Sequence, residues 1–77
     1  MSAPLPVIKP NEFVNALEKA GWHVLRQKGS HLIMHKDMSP NILVIPMHNR
    51  DLPKGTLKGI LNDAELTTED LIELLKL

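Results

Sequence analysis

The pattern of apolar and polar positions changes its period twice along the chain. Between residues 10 and 20, apolar side chains recur at the i, i+3, i+4 and i+7 spacing of one helix face, at Phe13, Ala16, Leu17 and Ala20. Pro10 suits the first position of a helix, and Gly21 follows the last periodic residue. The pattern therefore predicts a first helix over about residues 10–20.

The middle of the chain has the short apolar segments that are typical of β-strands. Residues 22–27, 30–35 and 42–45 are rich in β-branched or large apolar side chains, and turn-forming residues separate them. Pro46 ends the third segment. We expect three antiparallel strands joined by tight connections.

Helical spacing returns in the last third of the chain. From Pro53 onward the apolar face consists of Leu57, Ile60, Leu61 and Ala64. Thr67 and Asp70 have the spacing of a helix cap, before a final apolar face of Leu71, Leu74 and Leu75. The element order αβββα with a short C-terminal helix predicts an α+β fold, in which the helices cover one face of a three-stranded sheet and leave the other open.

Alternation along the strands predicts which residues lie on that open face. Leu32 and Met34 are the better core residues of the second strand, so His31 and His35 point outward. In residues 42–45 both alternating sets are apolar, and periodicity does not choose between them. Either choice leaves apolar side chains on the open face, and such a patch on a small domain usually has a partner that covers it.

Length and composition narrow the class of protein. The chain has 77 residues, of which 43% are hydrophobic, enough for one small globular domain. We place this domain at residues 9–77, after a flexible extension over residues 1–8. Cysteine is absent, which excludes disulfides and thiolate chemistry. No apolar run is long enough to span a membrane and the start lacks a signal-peptide layout, so we expect a cytoplasmic protein without membrane contacts.

The charges sum to zero, yet they are unevenly distributed. Residues 22–58 carry six Lys and Arg against two Asp, a net charge of +4, and they contain all four histidines. Residues 59–77 carry one Lys against five acidic residues, a net charge of −4. A neutral total argues against a nucleic-acid partner, whereas a basic, histidine-rich middle segment is compatible with one.

The sequence Gly29-Ser30-His31 is the first candidate for chemistry. Gly29 permits a tight turn before the strand, so the His31 imidazole is accessible to a ligand near Arg26 and Lys28. Such an imidazole suits proton transfer in phosphodiester chemistry, and the two cations suit binding of the phosphate. The alternative is a histidine that only decorates a solvated strand.

Two further patterns are candidate ligand sites. His31 and His35 are four residues apart, which on a strand corresponds to about 13 Å, so they do not form a metal-ligand pair and we expect no metal or cofactor. Lys54 and Lys58 lie one turn apart near the start of the second helix, where a helix N-terminus and cations can bind a phosphate. A plain solvated helix face explains them equally well. Phe13 and Trp22, the only aromatic residues besides histidine, suit the core better than base stacking.

Several motifs together resemble the HicA toxin family, also called YcfA-like. They are residues 17–22 (LEKAGW), 26–31 (RQKGSH), 45–48 (IPMH) and 53–61 (PKGTLKGIL). The resemblance extends from about Lys9 to Leu75 in the family's order and spacing. It implies a double-stranded-RNA-binding-domain-like fold and a ribosome-independent mRNA interferase that a HicB-like antitoxin neutralises.

The resemblance also assigns roles to residues. It implies that His31, in the Gly-Ser-His motif, is the catalytic acid/base group on the open sheet face, where an antitoxin would block mRNA. Arg26, Lys28 and Ser30 match the same motif. Proximity makes them candidate RNA-binding residues, together with His35 and Lys54. His48 matches a family position without a role that we can assign.

Two other functions fit the same residues. One is an RNA-binding module of this fold without cleavage activity, and the other is a domain that works mainly by docking a protein on its apolar face.

Overall fold

The computed structural model describes residues 4–77, and its elements follow the predicted order. They are α1 (Pro10–Lys19), β1 (His23–Lys28), β2 (His31–His35), β3 (Ile42–Pro46), α2 (Lys54–Asp63) and α3 (Thr68–Leu75). The predicted α+β architecture is therefore confirmed. In this part of the chain no helix is long and apolar enough to cross a membrane.

The segment before α1 contributes to the core. Ile8 is buried, and its carbonyl accepts a 2.9 Å hydrogen bond from the backbone N–H of Leu52. Leu5 packs against the same core from a half-buried position. The flexible extension that we predicted over residues 1–8 stays a prediction, and its residues 1–3 lie outside the described residues.

Helix α1 begins and ends where the sequence predicts. Pro10 occupies its first turn, and the Glu12 carboxylate accepts a 3.0 Å hydrogen bond from the backbone N–H of Lys9. After the helix, Gly21 has φ +97°, a left-handed conformation that suits glycine. Phe13 and Trp22 are fully buried, which confirms them as core residues.

The three strands form one antiparallel sheet in the order β1-β2-β3. In the β2–β3 pair, Leu32 lies opposite Ile45 and Met34 opposite Leu43, and all four side chains are buried. Directly paired residues share a face of the sheet, so the inner face is fixed by these two pairs. His31 and His35 point outward as predicted, and Ile42 and Val44 join them, which resolves the choice left open for the third strand.

The helices cover the inner face of the sheet. Helix α2 buries Leu57, Ile60 and Leu61 and packs against β3, whereas α1 contacts both β3 and α3. Helix α3 begins at the predicted cap, where the Thr67 hydroxyl accepts from the Asp70 N–H and Asp70 accepts from the Thr67 N–H. Among residues 4–77 no helix lies on the outer face of the sheet, and this face is the surface on which the candidate site lies.

Candidate active site

The β1–β2 turn places His31 at the start of its strand. Lys28 pairs with His31, so the turn contains only Gly29 and Ser30. Gly29 has φ +59° and the φ of Ser30 is not positive. This combination is typical of a type II′ hairpin turn. The side-chain amide of Gln27 donates a 3.1 Å hydrogen bond to the Gly29 carbonyl and supports the turn. His31 is exposed on the outer face, immediately after this short turn.

Two of the predicted cations lie beside His31. Lys28 is directly opposite His31, and Arg26 is opposite Ile33, the next outward residue of β2. All three polar side chains are exposed. The three strands contain no acidic residue, so no carboxylate of the sheet neutralises this group. A histidine and two cations on one open face can bind a phosphodiester and transfer a proton to or from the oxygens that react at it.

His35 lies at the opposite end of β2 from His31. Four residues of strand separate the two, a distance of about 13 Å. His35 pairs instead with His23 of β1, and their ring centroids are 5.9 Å apart. The structure therefore does not bring His35 within reach of a proton held by His31, although both residues share the outer face.

Ser30 and Lys54 take different positions relative to this group. Ser30 is in the turn itself, and its carbonyl accepts a 2.7 Å hydrogen bond from the backbone N–H of Met47, just after β3. Lys54 is the first residue of α2, which packs on the inner side of the sheet. The structure thus places Ser30 next to His31, and it places Lys54 on an element outside the outer-face group.

An apolar surface adjoins the polar group. Ile42 and Val44 of β3 are 56% and 48% exposed, and Ile33, opposite Val44, is half-buried. We name Ile33, Ile42 and Val44 the outer apolar patch.

The segment after β3 brings a further histidine towards the same end of the sheet. His31 pairs with Pro46, and His48 follows two residues later. The Nδ1 atom of His48 accepts a 3.2 Å hydrogen bond from the backbone N–H of Arg50. The sequence assigned no role to His48, because its proximity to the Gly29-Ser30 turn depends on strand pairing. Among residues 4–77, no group of three or more His, Cys, Asp or Glu side chains could hold a metal ion.

Fold and site together define a class of protein. It is a small α+β domain whose helices cover one face of a three-stranded sheet, while the other face presents a histidine, cations and an apolar patch. The chain belongs to the HicA toxin family, because the family model described as the HicA toxin of bacterial toxin–antitoxin systems matches residues 10–66 of the 77. The match covers the sheet, α1 and α2 and ends before α3.

Family membership confirms the resemblance found in the sequence motifs. It makes the chain the toxin component of a toxin–antitoxin system and implies an antitoxin as its partner. No curated protein matches the chain significantly.

Proposed function

We propose that this toxin cleaves RNA, with His31 as the group that takes or gives the proton. The observation that carries the proposal is the placement of His31, exposed after a two-residue turn and directly opposite Lys28 on an uncovered sheet face. The resemblance to mRNA interferases in the Gly-Ser-His motif supports the same role. The substrate class is mRNA.

The proposed reaction is attack of a ribose 2′-hydroxyl on the neighbouring phosphorus. The 2′-oxygen loses its proton and forms a bond to phosphorus, the bond from phosphorus to the 5′-oxygen breaks, and the 5′-oxygen gains a proton. A neutral His31 takes the first proton, or a protonated His31 gives the second. The products carry a 2′,3′-cyclic phosphate and a 5′-hydroxyl. The other transfer falls to water or to a group from a second chain, because His35 lies about 13 Å from His31.

The cations beside His31 bind the reacting phosphate in this proposal. Lys28 is closest by strand pairing and Arg26 follows along β1, so both can stabilise the negative charge that develops on the phosphate oxygens. Ser30 contributes from the turn. His35 and Lys54 are proposed contacts to RNA further from the cleaved bond. No step uses a metal ion.

Substitution of His31 tests the proposal directly. His31 is exposed and its imidazole makes no hydrogen bond to another described residue, so His31→Ala should leave the folded state intact. We expect cleavage of a synthetic RNA, measured in the presence of a chelator, to fall by roughly 10²- to 10⁴-fold. His23→Ala is the matched control, because it removes an outward histidine at the far end of the sheet and should retain activity.

Each outcome selects one function. If the unmodified chain cleaves no RNA in the chelator but binds it, the non-catalytic RNA-binding module replaces the enzyme. If it neither cleaves nor binds RNA, the docking-domain function replaces both. Equal loss of activity in the His31 and His23 variants would contradict the assignment of the proton to His31.

We further propose that the antitoxin, expected to be HicB-like, binds the outer apolar patch and thereby blocks RNA access to His31. The patch lies on the same sheet face as His31, and Ile33 is between His31 and His35 on that face. A protein that buries Ile42 and Val44 gains the free energy of apolar burial, about 25 cal/mol for each Å² removed from water. The same contact excludes RNA from the cations of β1.

A charge placed in the patch tests antitoxin docking. We expect Val44→Lys to weaken binding of the antitoxin encoded beside this chain by at least tenfold, measured by calorimetry, because the complex would then bury an unpaired ammonium group. Met38→Lys is the control, since Met38 is fully exposed in the loop between β2 and β3. Unchanged affinity of the Val44 variant, with native stability, would place the antitoxin elsewhere.

A further inference from the structure

A small pocket lies at the end of the sheet next to the His31 turn. Its lining residues come from the start of α1 and from the segment after β3: Asn11, Met47, His48 and Asn49. Its volume is about 300 Å³, and it is a shallow depression open to solvent, since Asn11 and Asn49 are exposed. This pocket is separate from the outer-face group of His31, Lys28 and Arg26.

Strand pairing fixes the position of the pocket relative to His31. Pro46 is opposite His31, and the N–H of Met47 donates a 2.7 Å hydrogen bond to the carbonyl of Ser30. His48 follows Pro46 by two residues, or about 7 Å of extended chain. Pro46 lies about 5 Å from His31 across the strand pair, so the pocket is within about 12 Å of His31. Stacked nucleotides rise about 3.4 Å each, so this distance corresponds to no more than about three or four nucleotides.

The polar groups of the pocket are free to bind a ligand. Neither Asn11 nor Asn49 uses its side-chain amide in a hydrogen bond with another residue of 4–77. The His48 ring is oriented because Nδ1 accepts from the Arg50 N–H. In the neutral ring, the nitrogen that accepts carries no proton, so Nε2 carries the N–H donor. Met47 is half-buried against the core and supplies an apolar surface.

We infer that this pocket binds the base of a nucleotide within a few positions of the cleaved phosphate and so determines where the toxin cuts. A carboxamide presents a donor and an acceptor side by side, the pattern found on the hydrogen-bonding edge of a base. A phosphate offers only acceptors and would leave both asparagine carbonyls unused. The sulfur and methyl groups of Met47 suit contact with the flat face of a base. The inference rests on the proposed function, because it names a specificity site for RNA cleavage.

Cleavage patterns test the pocket in the active protein. We expect Asn11→Ala and Asn49→Ala to reduce the preference among cleavage sites in a mixed-sequence RNA by roughly 5- to 150-fold, the discrimination of a good base contact. Cutting at disfavoured sites should remain. Asn15→Ala is the matched control, because Asn15 is one turn further along α1, exposed and outside the pocket.

Nucleotide binding tests the pocket independently of cleavage. With the His31→Ala protein, each of the four nucleoside monophosphates and inorganic phosphate is titrated separately, and the side-chain amide signals of Asn11 and Asn49 are followed by NMR. We expect these signals to shift with nucleotides, to different extents for different bases, and not with inorganic phosphate. The His31→Ala background keeps this arm separate from the proposed enzyme activity.

The outcomes are distinguishable. Absence of any cleavage by the unmodified chain refutes the proposed function, while the titration still decides whether a base binds. An unchanged site preference in both asparagine variants of an active toxin overturns the inference. Amide shifts as large with inorganic phosphate as with nucleotides also overturn the inference. Loss of antitoxin affinity in the asparagine variants, without any change in cleavage pattern, overturns it as well and would make the pocket a protein contact.

Discussion

At the level of single residues, the backbone conformation of Gly29 determines the position of His31 relative to Lys28. A left-handed φ of +59° at this position closes the hairpin in two residues and sets Lys28 opposite His31. A side chain at position 29 would meet no atom within 4 Å. Any cost of substitution there is therefore backbone strain and not a steric clash.

Gly29→Ala isolates that strain. We expect it to lower the free energy of unfolding by about 1–3 kcal/mol, the cost of a positive φ in a residue with a Cβ atom. For a domain of this size the melting temperature falls by about 4–8 °C for each kcal/mol. Cleavage should fall as well, because a relaxed turn moves His31 relative to Lys28. Thermal unfolding and the RNA assay measure the two effects.

Gly59 provides the matched comparison for Gly29. It lies within α2, is exposed, and likewise has no atom within 4 Å of an added Cβ, but its φ is not positive. We expect Gly59→Ala to raise the free energy of unfolding by about 0.5–1 kcal/mol, because alanine favours the helix. Equal effects of the two substitutions would contradict the role of the Gly29 conformation.

At the level of elements, the sequence pattern predicted the helices and the turns well. Apolar spacing identified both long helix faces, and the Thr67–Asp70 cap forms as predicted. These features depend on residues close together in the chain, so local physical chemistry is sufficient to find them.

Two elements show what local pattern does not determine. The inward face of β3 does not follow from its sequence, because both alternating sets of side chains are apolar. Pairing of Leu43 with the buried Met34 shows that Leu43 points inward. Strand β1 lies at an edge of the sheet, and all six of its residues are exposed. Two of its residues, Leu25 and Arg26, lie where β2 has only Ile33, a β-bulge that local sequence did not reveal.

Part of the candidate site also follows from local sequence, and part depends on how distant segments pack. The placement of Lys28 beside His31 follows from a short hairpin and is visible in the sequence. The pocket of Asn11, His48 and Asn49 cannot be recognised in the sequence, because its residues come from separate parts of the chain that meet only in the folded protein. The Ser30–Met47 hydrogen bond, which joins the two regions, likewise connects residues that are distant in the chain.

At the level of the whole molecule, the distribution of charge matters more than its sum. The basic side chains of β1 lie on the open face, and the acidic residues after position 62 lie on the end of α2, on α3 and in the link between them, which belong to the covered side. RNA is therefore attracted to one face of a neutral protein. Few phosphates are contacted, so we expect modest affinity and a shallow dependence on salt.

Salt titration measures how many phosphates that face binds. In the non-cleaving His31→Ala protein, each phosphate contact with single-stranded RNA contributes about 0.7 to the slope of log affinity against log salt. We expect Arg26→Gln and Lys28→Gln to reduce the slope by about 0.7 each and the double variant by about 1.4. Fluorescence anisotropy with a labelled single-stranded RNA at several salt concentrations provides the measurement.

Lys76→Gln separates position from net charge. It removes the same single charge as Lys28→Gln, but from the residue after α3, where Lys76 is exposed and pairs with Glu73 at 3.5 Å. If the outer sheet face binds the RNA, the slope of the Lys76→Gln variant should equal that of the parent protein. A reduction of the slope as large as that of Lys28→Gln would show that total charge governs binding. This result would contradict RNA binding at the open face.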